Sequence, residues 1–368
     1  MTRSLWVVIL GPPLILVLGA GAVTAVGRAP RAPAGTLPIP RPMTACAATP
    51  GDPAPDAAAA GRAAGAKPVG AWWRSTPVLD AAGSLTGWTL VAGTPGGRAA
   101  KLDLPAASSA SGPNRGRVVV AVDEGSSSSI HIVDAARGCE AVLDLGAVVA
   151  RRAIADPAGD GFLVHLLARD SRADLGVWQV SPDGRRTLLL VPLEDASRRA
   201  AGIDRVWATN LRTTRDGRRL AVQSCDPENC LTRIVERGSG RVTSLVGRQG
   251  DLIDFSGDRL VTWAACHGAP CGLVAWSNDG SAAVLADSAI GAAVAGDGAV
   301  VIAVREGAAD ANALAIDVAS RGVRELGPLA RDLLPLAATA RFAGIESGPD
   351  AVGLVGSSGL TSELKVLP

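Results

Sequence analysis

Side chains that recognise nucleic acids are scarce in this sequence. Its 368 residues include no Tyr and three Phe, and aromatic residues make up 3% of the chain. The formal net charge is +1. Nucleic-acid-binding surfaces depend on clustered positive charge and on rings that stack on bases. We therefore expect no nucleic-acid partner.

Histidine is also rare, and the familiar motifs of catalytic and metal sites are missing. His131 and His165 lie inside apolar strand patterns, and His267 lies between two cysteines. No Ser occupies a Gly-x-Ser-x-Gly turn, and no Asp-x-Asp-x-Asp spacing suits calcium. We predict no catalytic residue, no metal and no cofactor, which favours binding over catalysis.

The chain begins with an uncharged apolar run, residues 5–26. As a helix of about 22 residues it would reach roughly 33 Å, enough for a bilayer core of about 30 Å. We interpret residues 1–26 as a transmembrane anchor or, given small residues such as Ala20 and Ala25, as a cleaved signal peptide. Residues 27–70 are rich in Pro, Ala and Gly and predict a flexible linker.

A repeated pattern organises residues 71–368, which we interpret as one folded domain. Residues 218–225 and 259–266 have the same length, and each stretch ends in a Cys with another Cys five positions later. Apolar runs separated by Gly and Asp turns predict short strands. The second strands of six repeats are expected to begin near Arg117, Phe162, Arg218, Arg259, Ala299 and Ala351. This period predicts an all-β, six-bladed β-propeller, with seven blades also possible.

We expect the ring to close by a 1+3 exchange of strands. The last repeat would supply three strands, at residues 336–342, 352–355 and 363–367. The segment Thr89-Leu90-Val91 would supply the fourth. Closure of this kind removes open sheet edges, which otherwise invite aggregation.

Two turn-and-strand segments resemble a known family. Residues 180–186 (Val-Ser-Pro-Asp-Gly-Arg-Arg) and 214–222 (Thr-Arg-Asp-Gly-Arg-Arg-Leu-Ala-Val) are similar to the Asp-Gly-Lys/Arg signature of TolB-like β-propeller repeats. The resemblance spans roughly residues 88–368, and the signature is degraded at residues 255–258 and 294–297. It implies an extracytoplasmic scaffold for protein contacts.

Six cysteines behind an apolar N-terminal run indicate an oxidising compartment. Cys225 and Cys230 flank a four-residue hairpin loop, where facing strands bring Cα atoms within reach of a disulfide. Cys266 and Cys271 repeat this spacing, so we predict two such bonds. A four-thiolate zinc site shared by neighbouring hairpins is the alternative. The remaining pair, Cys46 and Cys139, is predicted on parity alone.

The charged hairpins between the second and third strands are the candidate binding residues. A propeller places these hairpins on one face, and loops held by a rigid scaffold commonly carry binding. They are Asp123, Glu124, Arg169, Asp170, Arg172, Asp226, Glu228, His267, Arg305 and Glu306.

We therefore predict a monomeric scaffold that binds a protein or small ligand on this face. It would be tethered to the cell membrane by one N-terminal helix with the propeller outside the cytoplasm, or secreted after cleavage. The alternatives are a propeller enzyme, of the quinoprotein dehydrogenase or metal-dependent lactonase type, and a structural component of the envelope.

Overall fold

A computed structural model represents the full chain. It describes residues 23–25, 37–38, 40–48, 72–93, 99–114, 116–204, 206, 208–245, 249–264, 271–289, 291–294, 300–306, 311–329, 333–335, 343–345, 351–356 and 361–365. These residues form an all-β fold with one short helix.

The N-terminal half of the described chain forms two short strands and then three antiparallel sheets. The short strands are β1 (Val23–Ala25) and β2 (Ala47–Ala48). Sheet I begins with β3 (Trp72–Leu79), β4 (Leu85–Gly93) and β5 (Ala100–Pro105). Sheet II contains β6 (Ser109–Asn114), β7 (Arg117–Asp123), β8 (Ser128–Asp134) and β9 (Cys139–Gly146). Sheet III contains β10 (Val148–Ala155), β11 (Phe162–Ala168), β12 (Asp174–Val180) and β13 (Arg186–Leu190).

The helix α1 (Asp195–Ala200) connects sheet III to the second half. Sheet IV contains β14 (Ala208–Thr213), β15 (Arg219–Cys225), β16 (Cys230–Glu236) and β17 (Arg241–Leu245). Sheet V contains β18 (Gln249–Ser256), β19 (Arg259–Ala264), β20 (Cys271–Trp276) and β21 (Ala282–Ala289). Sheet VI contains β22 (Gly291–Val294), β23 (Val300–Glu306), β24 (Ala311–Asp317) and β25 (Val323–Leu329). The last strands are β26 (Leu333–Pro335), β27 (Ala343–Ile345), β28 (Ala351–Gly356) and β29 (Thr361–Lys365).

All six second strands expected from the repeat are confirmed, as β7, β11, β15, β19, β23 and β28. The Asp-Gly turns form as the sequence predicts. The Asp216 carboxylate accepts a hydrogen bond from the Arg218 backbone at 3.0 Å, and Gly217 adopts a φ of +68° that favours glycine. The Thr214 hydroxyl bonds to the same carboxylate at 2.6 Å. These contacts, led by the Thr214 bond, lower the pKa of Asp216.

The sheets contact one another through their first strands. β6 contacts β10, which contacts β14; the series continues through β18 and β22 to β26. β27 contacts both β28 and β6. Buried apolar clusters fill the spaces between sheets I and II, II and III, III and IV, and IV and V. This serial packing of antiparallel sheets is the arrangement of a β-propeller.

The described residues form seven sheets, not the six expected first. The additional one is sheet I. Thr89-Leu90-Val91 lies in β4 and pairs with β3 on one side and β5 on the other. The expected 1+3 exchange is therefore wrong: the N-terminal part supplies three strands of this sheet, and β27 adds the fourth by pairing with β3. β26, β28 and β29 form the three-stranded sheet VII, and the strand expected at 336–342 lies outside the described residues.

The N-terminal region differs from a helix followed by a free linker. Residues 23–25 of the apolar run form β1, which pairs with β17 and is therefore extended. Residues 5–22 lie outside the described part. Within that part, no helix has both the length and the apolar character needed to cross a membrane.

Residues 37–48, described except for 39 and named the strap here, pack on sheets II and III. The Arg41 backbone donates to Asp144 O at 3.0 Å, and the Thr44 backbone donates to Val142 O at 2.9 Å. β2 then pairs with β9 and extends sheet II by one strand. The strap thus covers the outer edge of sheet II, which would otherwise present unpaired backbone groups.

Two glycines let the strap approach this closely. Gly146 and Gly184 have φ values of +75° and +85°. A Cβ on Gly146 would lie 2.7 Å from Pro38 Cβ, and a Cβ on Gly184 would lie 2.6 Å from Pro40 O. Any other residue at either position would push the strap away from the sheets.

Candidate binding surface

The hairpins between second and third strands of sheets II, III and IV form the surface that we name the hairpin face, residues 124–127, 169–173 and 226–229. In each sheet the chain starts at the inner strand and runs up and down through the following strands. The hairpin between the second and third strands therefore lies at the same end of the sheet as the connection from the fourth strand to the next sheet. The connection from sheet III to sheet IV, with α1, also lies here: Leu193 and Ile203 pack on Leu231.

Arg169 and Asp123 form an ion pair that joins two hairpins. Arg169 Nη2 lies 2.8 Å from Asp123 Oδ1 and donates to Val148 O at 2.5 Å. Its Nη1 donates to Gly125 O. The two charged side chains are 14% and 10% exposed. These two candidate residues therefore connect sheets II and III, and their charges are already engaged inside the protein.

A disulfide and a carboxylate hold the hairpin of sheet IV. Cys225 and Cys230 are bonded, with Cα atoms 4.1 Å apart, as the spacing predicts. Asp226 accepts from the backbones of Glu228 and Asn229 at 2.9 and 2.7 Å, and Asp204 N donates to it at 3.0 Å. Desolvation alone would raise the pKa of Asp226, but the three N–H donors outweigh it and lower the pKa.

Three candidate carboxylates on this face are free of ion pairs within the described chain. Glu124, Asp170 and Glu228 are exposed, and Glu124 accepts one long hydrogen bond, from the Ser127 hydroxyl at 3.4 Å. Arg172 is 40% exposed and lies 3.7 Å from Asp123 Oδ2. Because the Arg169 guanidinium is already paired with Asp123, the charges available to a partner on this part of the face are mainly negative.

The remaining candidate residues lie in the hairpins of sheets V and VI. Cys266 and His267 lie outside the described residues, and the structure describes Cys271, Arg305 and Glu306 as backbone only. The second hairpin disulfide and the three binding residues stay predictions.

The last predicted disulfide is present in the strap. Cys46 bonds to Cys139 at the start of β9, with Cα atoms 5.5 Å apart and a sequence separation of 93. Arg186 adds a charged clamp, since its guanidinium donates to Leu37 O at 2.6 Å and to Pro38 O. The strap is therefore fixed to both sheet II and sheet III.

The structure also reveals a buried charged cluster that the sequence did not predict. His165 is fully buried, and its Nε2 lies 2.9 Å from Asp174 Oδ1. Arg233 of sheet IV lies 3.7 Å from Asp174 Oδ2. Desolvation opposes ionisation, but His165, Arg233 and the Leu193 N–H bond hold the pKa of Asp174 well below its usual range.

A second ion pair lies at the other end of the same interface. Arg237 binds Asp156 with two contacts, at 2.7 and 2.8 Å. Gln179 donates to the same carboxylate at 2.8 Å. The side chain of Asp156 is fully buried. Sheets III and IV are thus joined by charge at both ends of their apolar contact.

His131 lies between two side chains of sheet II. Its Nε2 is 2.9 Å from Ser129 Oγ, and its Nδ1 contacts Glu140. The order Ser–His–Glu is that of an activated nucleophile. Ser129 is 6% exposed, however, so a substrate carbonyl cannot approach its hydroxyl. The group links β8 to β9.

No protein-family model and no curated protein matches this sequence. Solved structures similar to it include TolB from Acinetobacter baumannii, with 10% identity over 79% of each chain and a TM-score of 0.42. Oligogalacturonate lyase from Vibrio parahaemolyticus has 11% identity over 68% of this chain and 74% of that one, with a TM-score of 0.43. Oligopeptidase B from Leishmania major has 10% identity over 82% of this chain and 48% of that one, with a TM-score of 0.44. TolB structures are thus among the similar ones, and the fold assignment follows from strand order and pairing within this chain.

Proposed function

We propose that this protein is an extracytoplasmic scaffold, a closed ring of seven sheets tethered by its N-terminal apolar run. Its hairpin face binds a protein partner that presents basic groups. The observation that carries the proposal is the set of free carboxylates, Glu124, Asp170 and Glu228, on hairpins that are otherwise fixed. Electrostatic complementarity of this kind steers encounter and selects partners.

The rigidity of these hairpins supports binding. Arg169 and Asp123 hold the first two hairpins against each other, and the Cys225–Cys230 bond with Asp226 holds the third. Side chains presented by a fixed backbone lose less conformational entropy when a partner orders them. The free acidic groups are therefore pre-positioned for contact.

The two disulfides support the compartment. Structural disulfides persist in oxidising surroundings and are rare in the cytosol. Fusion of a periplasmic-type reporter enzyme to the C-terminus, with membrane fractionation of the full chain, tests this part. An active reporter in the membrane fraction is expected. If the periplasmic-type reporter is inactive and a cytosolic reporter fused at the same position is active, the proposed tether and the outward placement are both refuted.

A charge variant tests the binding surface. Glu124→Gln with Asp170→Asn and Glu228→Gln removes the free carboxylates and leaves Asp123, Arg169 and Asp226, which hold the hairpins, unchanged. We expect cross-linking of the purified full chain to its partner to fall at least about tenfold, and wild-type cross-linking to weaken as salt rises. The matched control, Asp160→Asn with Asp258→Asn and Glu325→Gln, changes three exposed acids off this face. Equal cross-linking by both variants would refute the surface.

A further inference from the structure

The inner strands of the sheets divide into a charged side and an apolar side. β10 carries Arg151 and Arg152, β14 carries Arg212, and β18 carries Asp251 and Asp254. The inner strands β6, β22, β26 and β27 carry no charged residue. Charge on the described inner wall is therefore concentrated where β10, β14 and β18 lie side by side.

Arg212 is held by backbone carbonyls on two sheets. Its Nε donates to Ile253 O of β18 at 2.6 Å, and its Nη1 donates to Leu211 O at 2.8 Å. Neither contact supplies a negative charge. Desolvation raises the pKa of the partly buried Asp254, and the charge of Arg212 offsets only part of that rise. The guanidinium is thus fixed in orientation with donor capacity left over.

Arg152 has no counter-ion within the described chain. Its Nε is buried without an acceptor, and none of the ion pairs of the described residues includes it. Desolvation, followed by the nearby charge of Arg212, lowers the pKa of Arg152 to about 9. A charge that is largely removed from water and has no partner is costly, and it persists in proteins mainly where it has a function.

Further buried polar atoms without a partner lie in the same interface as Arg152. Arg152 and His165 are directly opposed on β10 and β11, so their side chains lie on the face turned toward sheet IV. His165 Nδ1 and Arg233 Nη2 are both buried without a hydrogen-bond partner. Asp174 is the carboxylate of this cluster and is already occupied by His165 and by Leu193 N. The guanidinium groups of Arg152 and Arg233 therefore hold N–H donors that the described chain does not satisfy.

We propose that Arg152 and Arg212 bind one oxyanion group, a carboxylate or a phosphate, at the inner edge of the interface between sheets III and IV. Arg152 is partly exposed, so the group enters from the ring interior. Guanidinium groups match both oxyanions through paired N–H donors. This site is separate from the hairpin face and does not depend on the binding proposed there.

Calorimetric titration of the full chain with sodium phosphate and with sodium acetate, at constant ionic strength, tests the site. One saturable site is expected. Saturation by phosphate alone identifies a phosphoryl ligand, and saturation by acetate alone identifies a carboxylate. Saturation by both supports a site that accepts either oxyanion. No saturable binding of either anion would overturn the proposal.

Variants locate the binding. Arg152→Gln should weaken the affinity at least about tenfold, a loss of about 1.4 kcal/mol, and Arg152→Lys should weaken it less because it keeps the charge. The control is Arg218→Gln, since Arg218 is 85% exposed and pairs with Asp216 on a turn. Equal losses of anion affinity in Arg152→Gln and Arg218→Gln would show that binding depends only on overall positive charge, which would refute the site.

Thermal unfolding gives a second measure that is independent of the calorimetry. Phosphate or acetate should raise the Tm of the wild type and leave that of Arg152→Gln unchanged. Without added anion, Arg152→Gln should unfold at the same temperature as the wild type or higher, because it removes an unpaired charge. A clear fall in Tm would mean that Arg152 has an internal partner, and the proposal would fail.

Discussion

Sheet III is joined to its two neighbours in different ways. Its interface with sheet II is broadly apolar, with Leu143 of sheet II and Phe162 and Trp178 of sheet III among the buried residues, and the strap covers the outer rim. Toward sheet IV a smaller apolar cluster lies between the Asp174–Arg233 and Asp156–Arg237 groups. Apolar contact tolerates small shifts, whereas paired charges require one register. The comparison suggests that the first interface supplies stability and the second fixes alignment.

The largest expected effect concerns the strap. Cys46→Ser with Cys139→Ser opens a loop with a sequence separation of 93. In the chain-entropy account this costs about 4–5 kcal/mol of unfolding free energy. Cys225→Ser with Cys230→Ser, with a separation of 5, should cost about 2 kcal/mol. Denaturant unfolding measures both, and equal losses would contradict the loop-length argument.

Breaking a buried pair between sheets III and IV should cost nearly as much. Asp156→Ala leaves Arg237 buried without its carboxylate, and we expect a loss of about 3–4 kcal/mol. The double change Asp156→Leu with Arg237→Met should recover most of it, because no lone charge remains. Leu143→Ala at the other interface should cost about 2–5 kcal/mol from the cavity it leaves.

Chemical denaturation of all three variants and the wild type gives these values. A single Asp156→Ala loss below about 1 kcal/mol would show that the second interface does not depend on charge. A double variant no more stable than Asp156→Ala would show that the apolar replacement cannot pack there.

Acid should affect the second interface more than the first. The folded-state pKa of Asp174 is depressed, so its contribution is complete above its unfolded value of about 3.9 and is lost as pH falls below it. Stability of the wild type should therefore drop between about pH 5 and pH 2. Asp174→Asn should show a shallower slope over that window, and identical slopes would contradict the role of this carboxylate.

The smallest expected change in stability is on the hairpin face. Glu124→Gln with Asp170→Asn and Glu228→Gln should alter unfolding free energy by no more than about 0.5 kcal/mol per substitution. These groups are exposed and form no ion pair within the described chain. Thermal unfolding checks this, and a large loss would place them among the structural contacts of Asp123 and Arg169.

The strand pattern was predictable where local signals are strong. β7 is valine-rich and follows a glycine turn, and β15 follows an Asp-Gly turn, so both could be located from the sequence. Sheet I was missed because β3 contains Pro77, which argues against a strand, although it pairs with β4 along its length. β5 did carry a signal, because apolar and charged residues alternate in Ala-Lys-Leu-Asp-Leu at residues 100–104, and the structure buries the apolar ones.

Other features depend on contacts that no local pattern encodes. The strap has a linker-like composition, and its packing requires the edge of β9, which lies about a hundred residues later. The Arg169 contact with Gly125 O depends on how two sheets align. Asp174 looks like a turn residue in sequence, and its partner Arg233 belongs to another sheet.

The Cys46–Cys139 bond has a mechanical consequence. Tension applied to the chain before Leu37 passes into β9 through the sulfur atoms and the strap. Residues 49–71 then carry none of that tension, and β3 is shielded from being peeled off β4. The ring would therefore be held by the side of sheet II instead of by its first strand.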